Sequence, residues 1–347
     1  MCFLKNQFYI MSERKSKLNI IAEIAQGFEG NFEQSKLLIK AAAKAGADAV
    51  KFQLVYADEL ATFDYQYYTL FKELEMEEAQ WKLLKDYADS LETELIVDVF
   101  GKKSLTTAQN IGINTVKIHG TDVTNLGLLE AISSSPIKKV ILGVGGAYWG
   151  EIEKAIKILK SKHIILLCGF QGYPTKTEDN HIARMRVIEE KAKAIHKNFQ
   201  MGFADHPGDD EYTSTISLLA IGAGAKTIEK HLTLGKVMEM EDFESALNPD
   251  EFNDFVHQLK MGEKAFGLVA DKEDFGMSDA EKTYRKNVRR DVVSLKEIAQ
   301  GETFTAQNVT LKRTAKTDTI KQLELVLGKT AKSTIQKNHS ILTKDIN

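Results

Sequence analysis

An eight-stranded parallel β/α (TIM) barrel followed by a small β-rich domain is the α/β fold that the 347-residue sequence predicts, on three observations. Short apolar, β-rich runs alternate with longer segments of helical period, the pattern of β/α units in a parallel sheet. Eight such pairs span about 250 residues, the size of a closed barrel. The final part of the chain then changes character and repeats itself.

The strands are predicted at 18–24 (LNIIAEI), 48–54 (DAVKFQL), 94–100 (ELIVDVF), 115–120 (TVKIHG), 139–144 (KVILGV), 163–169 (HIILLCG), 200–205 (QMGFAD) and 226–232 (KTIEKHL). Amphipathic segments separate them, such as FEQSKLLIKAAAKAG, which ends at Gly46, and EAQWKLLKDYADSL. An open doubly wound sheet is the alternative. Its glycine-rich fingerprint is missing, because Ala25-Gln26-Gly27-Phe28-Glu29-Gly30 after the first strand has the wrong spacing. Residues 1–17 read as a disordered extension, with Met11 as a natural start, and the barrel as 18–270. Within the barrel, 56–78 is long for a connection and rich in aromatic residues, so it is either a substrate lid or a packing excursion. Residues 271–290 are charged and nearly free of aliphatic side chains, as a linker would be. In the terminal domain, 291–347, the segment 298–309 aligns with 335–346, so each half is too short to bury a core alone.

Composition excludes several classes. With 43% hydrophobic and 27% charged residues the chain reads as soluble, and no apolar run reaches the roughly 20 residues of a membrane span. A net charge of −3, with both signs mixed, offers no extended field for nucleic acid. Cys2 and Cys168 do not make a disulfide framework, which points to a reducing compartment, the cytoplasm.

Barrel chemistry gathers at the C-terminal strand ends. Here these carry Glu23, Lys51 and Gln53, Asp98, Lys117 and His119, Gln171, Asp205 and His206, and Glu229 and His231. Ionisable groups converging on one rim are costly unless something pairs with them. Lys51 and Gln53, two apart, project to the same side of their strand. A lysine there suits a phosphate or carboxylate, or else Lys51 and Lys117 pair with Glu23 and Asp98 as a structural network. His206 and His231 end adjacent strands and either converge on a divalent metal or are simply hydrogen-bonded.

Taken in order, Ile21-Ala22-Glu23, Lys51-Phe52-Gln53, Lys117-Ile118 with Asp122 and Asn125, Tyr173-Pro174-Thr175, Asp205-His206, Ile228-Glu229-Lys230-His231 and Asn248-Pro249 resemble the motifs of the sialic acid (N-acetylneuraminate) synthase family. Leu311-Lys312-Arg313 and Leu327-Gly328-Lys329 resemble its terminal antifreeze-like (SAF, β-clip) domain, so that the likeness covers about 18–347. The resemblance implies a transferase that condenses phosphoenolpyruvate with an N-acetylmannosamine-like open-chain sugar to give a nonulosonic acid and phosphate. It also implies that His206 and His231 hold a divalent metal, Mn2+ in the first instance and Mg2+ or Co2+ otherwise. Glu23 would position or deprotonate the attacking water, and Lys51 and Lys117 would hold phosphoenolpyruvate. Gln53, Phe100, Asp122, Gln171, Tyr173 and Asp242 would lie on the substrate side. Arg313 would reach a partner's barrel in a swapped homodimer.

The departures fall on the phosphate side. Asp98 stands where a Ser/Thr-Pro-Phe motif is expected, Gly120 and Gly143 where serines are common, Gln171 for an asparagine and Ala204 for a serine. These leave open a divergent synthase with another donor or acceptor, or a non-catalytic sugar-binding barrel. Backbone N–H groups of Gly143 to Gly146 are candidates for a substitute anion nest.

Overall fold

The computed structural model describes residues 18–169, 172, 174–207, 213–267 and 273–347. The predicted extension at 1–17 and the candidates Gln171 and Tyr173 lie outside the described residues. The chain divides into two compact units, Met1–Gly267 and Leu268–Asn347.

The first unit is the predicted barrel. Its strands are β1 (Asn19–Ala25), β2 (Ala49–Gln53), β3 (Glu94–Asp98), β4 (Thr115–Ile118), β5 (Lys139–Gly143), β6 (His163–Cys168), β7 (Phe199–Asp205) and β8 (Ala225–Leu232). They are parallel in sequence order, and β1 closes the ring on β8 through Glu23 opposite His231. A two-residue strand, β9 (Ala246–Leu247), pairs in parallel with the end of β8, Ala246 opposite His231 and Leu247 opposite Leu232. The helices are α1 (Phe32–Lys44), α2 (Ala57–Leu60), α3 (Tyr68–Glu73), α4 (Glu78–Ser90), α5 (Lys102–Asn110), α6 (Leu126–Ser134), α7 (Trp149–Ile158), α8 (Arg184–Ile195), α9 (Thr213–Gly222) and α10 (Pro249–Phe266).

Strand alternation divides the apolar residues between two cores. Ile20, Ala22 and Ile24 of β1 face outward and join the layer under the helices, to which α1 adds Leu38, Ile39 and Ala42, and α4 adds Trp81, Leu84 and Ala88. Phe28, Phe52 and Trp81 meet edge to face there, with centroids 5.6–6.0 Å apart. Such pairs contribute about 0.5–1.5 kcal/mol each beyond area burial. Inside the barrel a separate apolar plug comprises Ile21, Ala49, Ile96, Ile141, Ile165, Leu167 and Ala204. Advancing two residues from Ile21, Ala49 and Ile96 reaches Glu23, Lys51 and Asp98, so the charged layer sits directly above the plug.

The segment 56–78 is ordered by its own contacts. Tyr65 stacks on Phe71 at 6.0 Å, and Phe63 meets Tyr68 at 5.0 Å. Glu75 accepts a hydrogen bond from Ala57 N at 2.9 Å, and Glu59 accepts from Lys103 N and from Ser104 N at 2.9 Å, capping α5 with a negative charge. A side chain at Gly101 would run into that carboxylate.

The second unit contains α11 (Asp279–Val288), a helix inside the stretch read as a linker, and an antiparallel pair, β10 (Asp291–Ser294) and β11 (Val309–Lys312). Ser278 and Glu281 form a capping box that starts the helix, a local signal that outweighs its lack of aliphatic residues. The internal repeat pairs with itself: Ile298 N donates to Ile335 O at 2.9 Å, and Ile335 N returns to Ile298 O at 2.8 Å. Both isoleucines enter one small core with Val292, Phe304, Val326 and Ile341.

Candidate active site

Glu23 closes β1 at a register irregularity, where Ala25 takes a left-handed φ of 50°. That bend turns the Ala25 N–H back onto Glu23 Oε1 at 2.7 Å. The other carboxylate oxygen meets Lys51 from the neighbouring strand. Lys51, fully buried, donates to Asp98 Oδ1 at 2.8 Å and lies 3.7 Å from Glu229 Oε2. Lys117 donates to Glu229 Oε1 at 2.8 Å, with Glu23 and Asp98 at 3.7 and 3.8 Å. Both lysines thus contact Glu23 and Asp98, and Glu229 joins them.

Burial sets the proton affinities. Loss of water drives Lys51 down to about 8, although Asp98 and Glu229 pull the other way. For Glu229 desolvation is again the largest influence, but Lys117 and Lys51 outweigh it and hold the carboxyl down to about 2. Burial, with Lys117 beside it, lowers His119 to about 4.

His206 follows β7 and His231 ends β8; both are buried, with ring centroids 5.6 Å apart. Burial and then His206 hold His231 well below the ordinary imidazole value, so it is neutral at pH 7. Two loops grip the backbone of His206: Thr175 N and Ser245 Oγ both donate to its carbonyl at 2.9 Å. No group of three or more His, Cys, Asp or Glu side chains arranged to hold a metal occurs among the described residues. The imidazole pair, with Glu23 opposite His231 in the strand register, presents nitrogen donors of the kind that borderline divalent cations accept.

The other predicted residues lie as follows. Gln53 accepts from Gln26 Nε2 at 2.8 Å. Phe100 is buried, its N–H donating to Ser104 Oγ at 3.1 Å. Asp122 accepts from Asn125 Nδ2 at 3.3 Å, and burial raises its pKa. Asp242 adopts a left-handed φ of 63°, an uncommon conformation for a non-glycine residue. Burial, with Glu241 and Glu244 nearby, lifts its carboxyl to about 6, against the pull of Lys51 and Lys117. Arg313 belongs to the second unit, where its Nε donates to Val288 O at 3.2 Å.

The structure narrows one expectation and revises another. Of the candidate nest at Gly143 to Gly146, the Val144 N–H is committed to the sheet, donating to Leu167 O at 3.0 Å, which narrows the candidates. Asp205 faces the helix layer, accepting from Ser217 Oγ at 2.5 Å and Lys230 Nζ at 3.0 Å. Lys230 and Ser217 were not foreseen as partners. The available signal was alternation: a lysine between inward-facing Glu229 and His231 must point outward, where it needs a buried acid.

Comparison with known proteins agrees with this two-part division of the chain. Residues 38–271 match the NeuB family and residues 289–347 the SAF domain; the chain belongs to the NeuB family. It is 32% identical over 298 residues to an uncharacterized protein of Methanocaldococcus jannaschii, covering 84% of this chain and 83% of that one. It is 31% identical over 316 residues to the N,N'-diacetyllegionaminic acid synthase of Campylobacter jejuni, covering 85% and 90%. The crystal structure of N-acetylneuraminic acid (sialic acid) synthetase from Leptospira borgpetersenii superposes with a TM-score of 0.70 at 28% identity, over 79% of this chain and 93% of that one. No helix among the described residues is long and apolar enough to cross a membrane.

Proposed function

We propose that the protein is a nonulosonic acid synthase that joins the three-carbon donor phosphoenolpyruvate to an N-acetylmannosamine-like open-chain sugar and releases phosphate. The observation that carries this reading is the arrangement at the strand ends: Glu23, Lys51 and Lys117 in ionic contact beside the buried pair His206 and His231. The family supports it, because relatives are named as synthases of this kind of acid.

In this reading His206 and His231 hold a divalent cation, Mn2+ in the first instance, which when bound polarises the sugar aldehyde as a Lewis acid. Lys117, the more accessible of the two lysines, and Lys51 behind it attract the donor's negative charge. Carbon 3 of the donor attacks the aldehyde carbon with the electrons of the donor's C=C bond, leaving a cation at carbon 2 and an alkoxide on the former aldehyde oxygen, which takes up a proton from water. Glu23 orients the water that adds there and takes its proton, and phosphate departs as the keto group forms. Gln53, fixed by Gln26, and Asp242 present polar atoms to the sugar. Tight burial of the cluster keeps bulk water from competing.

The test is to mix purified protein, Mn2+ and phosphoenolpyruvate with N-acetylated mannose or bacillosamine-type sugars. Release of inorganic phosphate that depends on both sugar and metal is expected. Absence of release with every sugar tried would sink the reading.

A further inference from the structure

The charged layer has one acid more than it needs. Glu23, Asp98 and Glu229 face two lysines, Lys51 and Lys117. Two carboxylate oxygens, Asp98 Oδ2 and Glu229 Oε2, are buried without a hydrogen-bond donor, a condition that costs free energy. Without Asp98, Lys51 would still contact Glu23 and Glu229, so pairing of Lys51 does not require the third acid. A hydroxyl contribution from β5 is also ruled out, since a Cβ at Gly143 would lie 2.7 Å from Gly120 N. Among the described residues the cations of this layer are Lys51 and Lys117, and Asp98 holds Lys51 at 2.8 Å.

We propose that Asp98 is a specificity-determining residue: it occupies Lys51 as an internal anion, so that a donor's negatively charged group binds only by displacing it, and phosphate dianions bind weakly as a result. This rests on the reading above that the mouth takes an anionic three-carbon donor. An aspartate left facing a dianion repels it, whereas a neutral side chain would release Lys51 to the ligand.

The test is isothermal titration of the full-length protein with inorganic phosphate, comparing wild type with Asp98→Asn, Asp98→Ser and Asp98→Glu. The two neutral variants should bind phosphate at least about tenfold more tightly. Asp98→Glu should keep the weak binding of the wild type. In turnover, the KM for phosphoenolpyruvate should fall in Asp98→Asn by more than kcat changes, a split that a merely structural role would not produce.

Unchanged or weaker phosphate affinity in folded neutral variants overturns the proposal. So does loss of cooperative unfolding in both, which would make Asp98 a structural counter-ion. Tighter phosphate binding without phosphate release from phosphoenolpyruvate would uphold this inference and remove the synthase reading. Release together with unchanged phosphate affinity would do the reverse.

Discussion

From β8 through β1 to β4 the barrel mouth carries Glu229, Glu23, Lys51, Asp98 and Lys117, while β5 ends in Gly143, Gly169 follows β6, and the last inward-facing residue of β7 is Ala204. The charged arc satisfies itself through ion pairs, although two oxygens remain without hydrogen bonds. The small-residue arc is not empty space. A Cβ at Gly143 would meet Gly120 N at 2.7 Å, and one at Gly169 would meet Ala204 O at 2.8 Å. Small residues stand there because backbone segments touch. One arc thus offers charge that is already engaged, and the other, at Gly143 and Gly169, offers close packing where a side chain has no room.

Breaking the charged arc should have the largest effect. Lys51→Met leaves three buried carboxylates to Lys117 alone, and about 3–5 kcal/mol of stability should be lost, read from thermal or urea unfolding. Wild-type stability would mean that water reaches the cluster.

On the opposite arc, Gly143→Ser should cost about 1–3 kcal/mol because backbone has to move, and it should not tighten phosphate binding. Tighter binding with no loss of stability would erase the distinction between the arcs.

The smallest effect concerns Asp242, whose folded-state pKa of about 6 exceeds the ordinary 3.8. The folded protein holds that proton more tightly than the unfolded chain, so the favourable contribution is present below about pH 4 and lost as pH rises through about 6. Asp242→Asn stays neutral and tolerates the left-handed backbone. Its stability relative to wild type should rise between pH 4 and 6 and level off at about 1 kcal/mol or less, after allowing for solvent screening. A pH-independent difference would rule out this origin.

The barrel was legible because each strand is a short apolar run between turn signals, and alternation foretold which side Lys51 and Gln53 share. The terminal repeat was legible for a related reason: Ile298 and Ile335 hold equivalent places in two similar segments and exchange backbone hydrogen bonds. Pairings across the barrel were harder. Residue types placed Lys117 on the rim, but only closure of the ring brings Glu229, 112 positions away, within 2.8 Å. Glu59 gave no signal that it would cap α5, because its role depends on how the segment from 56 to 78 folds back. The helix α11 was missed because a mostly polar helix lacks the apolar stripe by which helices are read.

Strand β8 alternates in charge as well as in polarity. Glu229 points inward to Lys117, while Lys230 points outward to Asp205 and to the carbonyl of Pro207. A slip of one residue during folding would turn every β8 side chain to the other face. Lys230 would then join Lys51 and Lys117 inside, and Glu229 would be driven against Asp205 outside. Each wrong face would repel, so this strand carries its own check on assembly: the ring closes with low energy only when β8 seats against β1 and β7 in the correct frame.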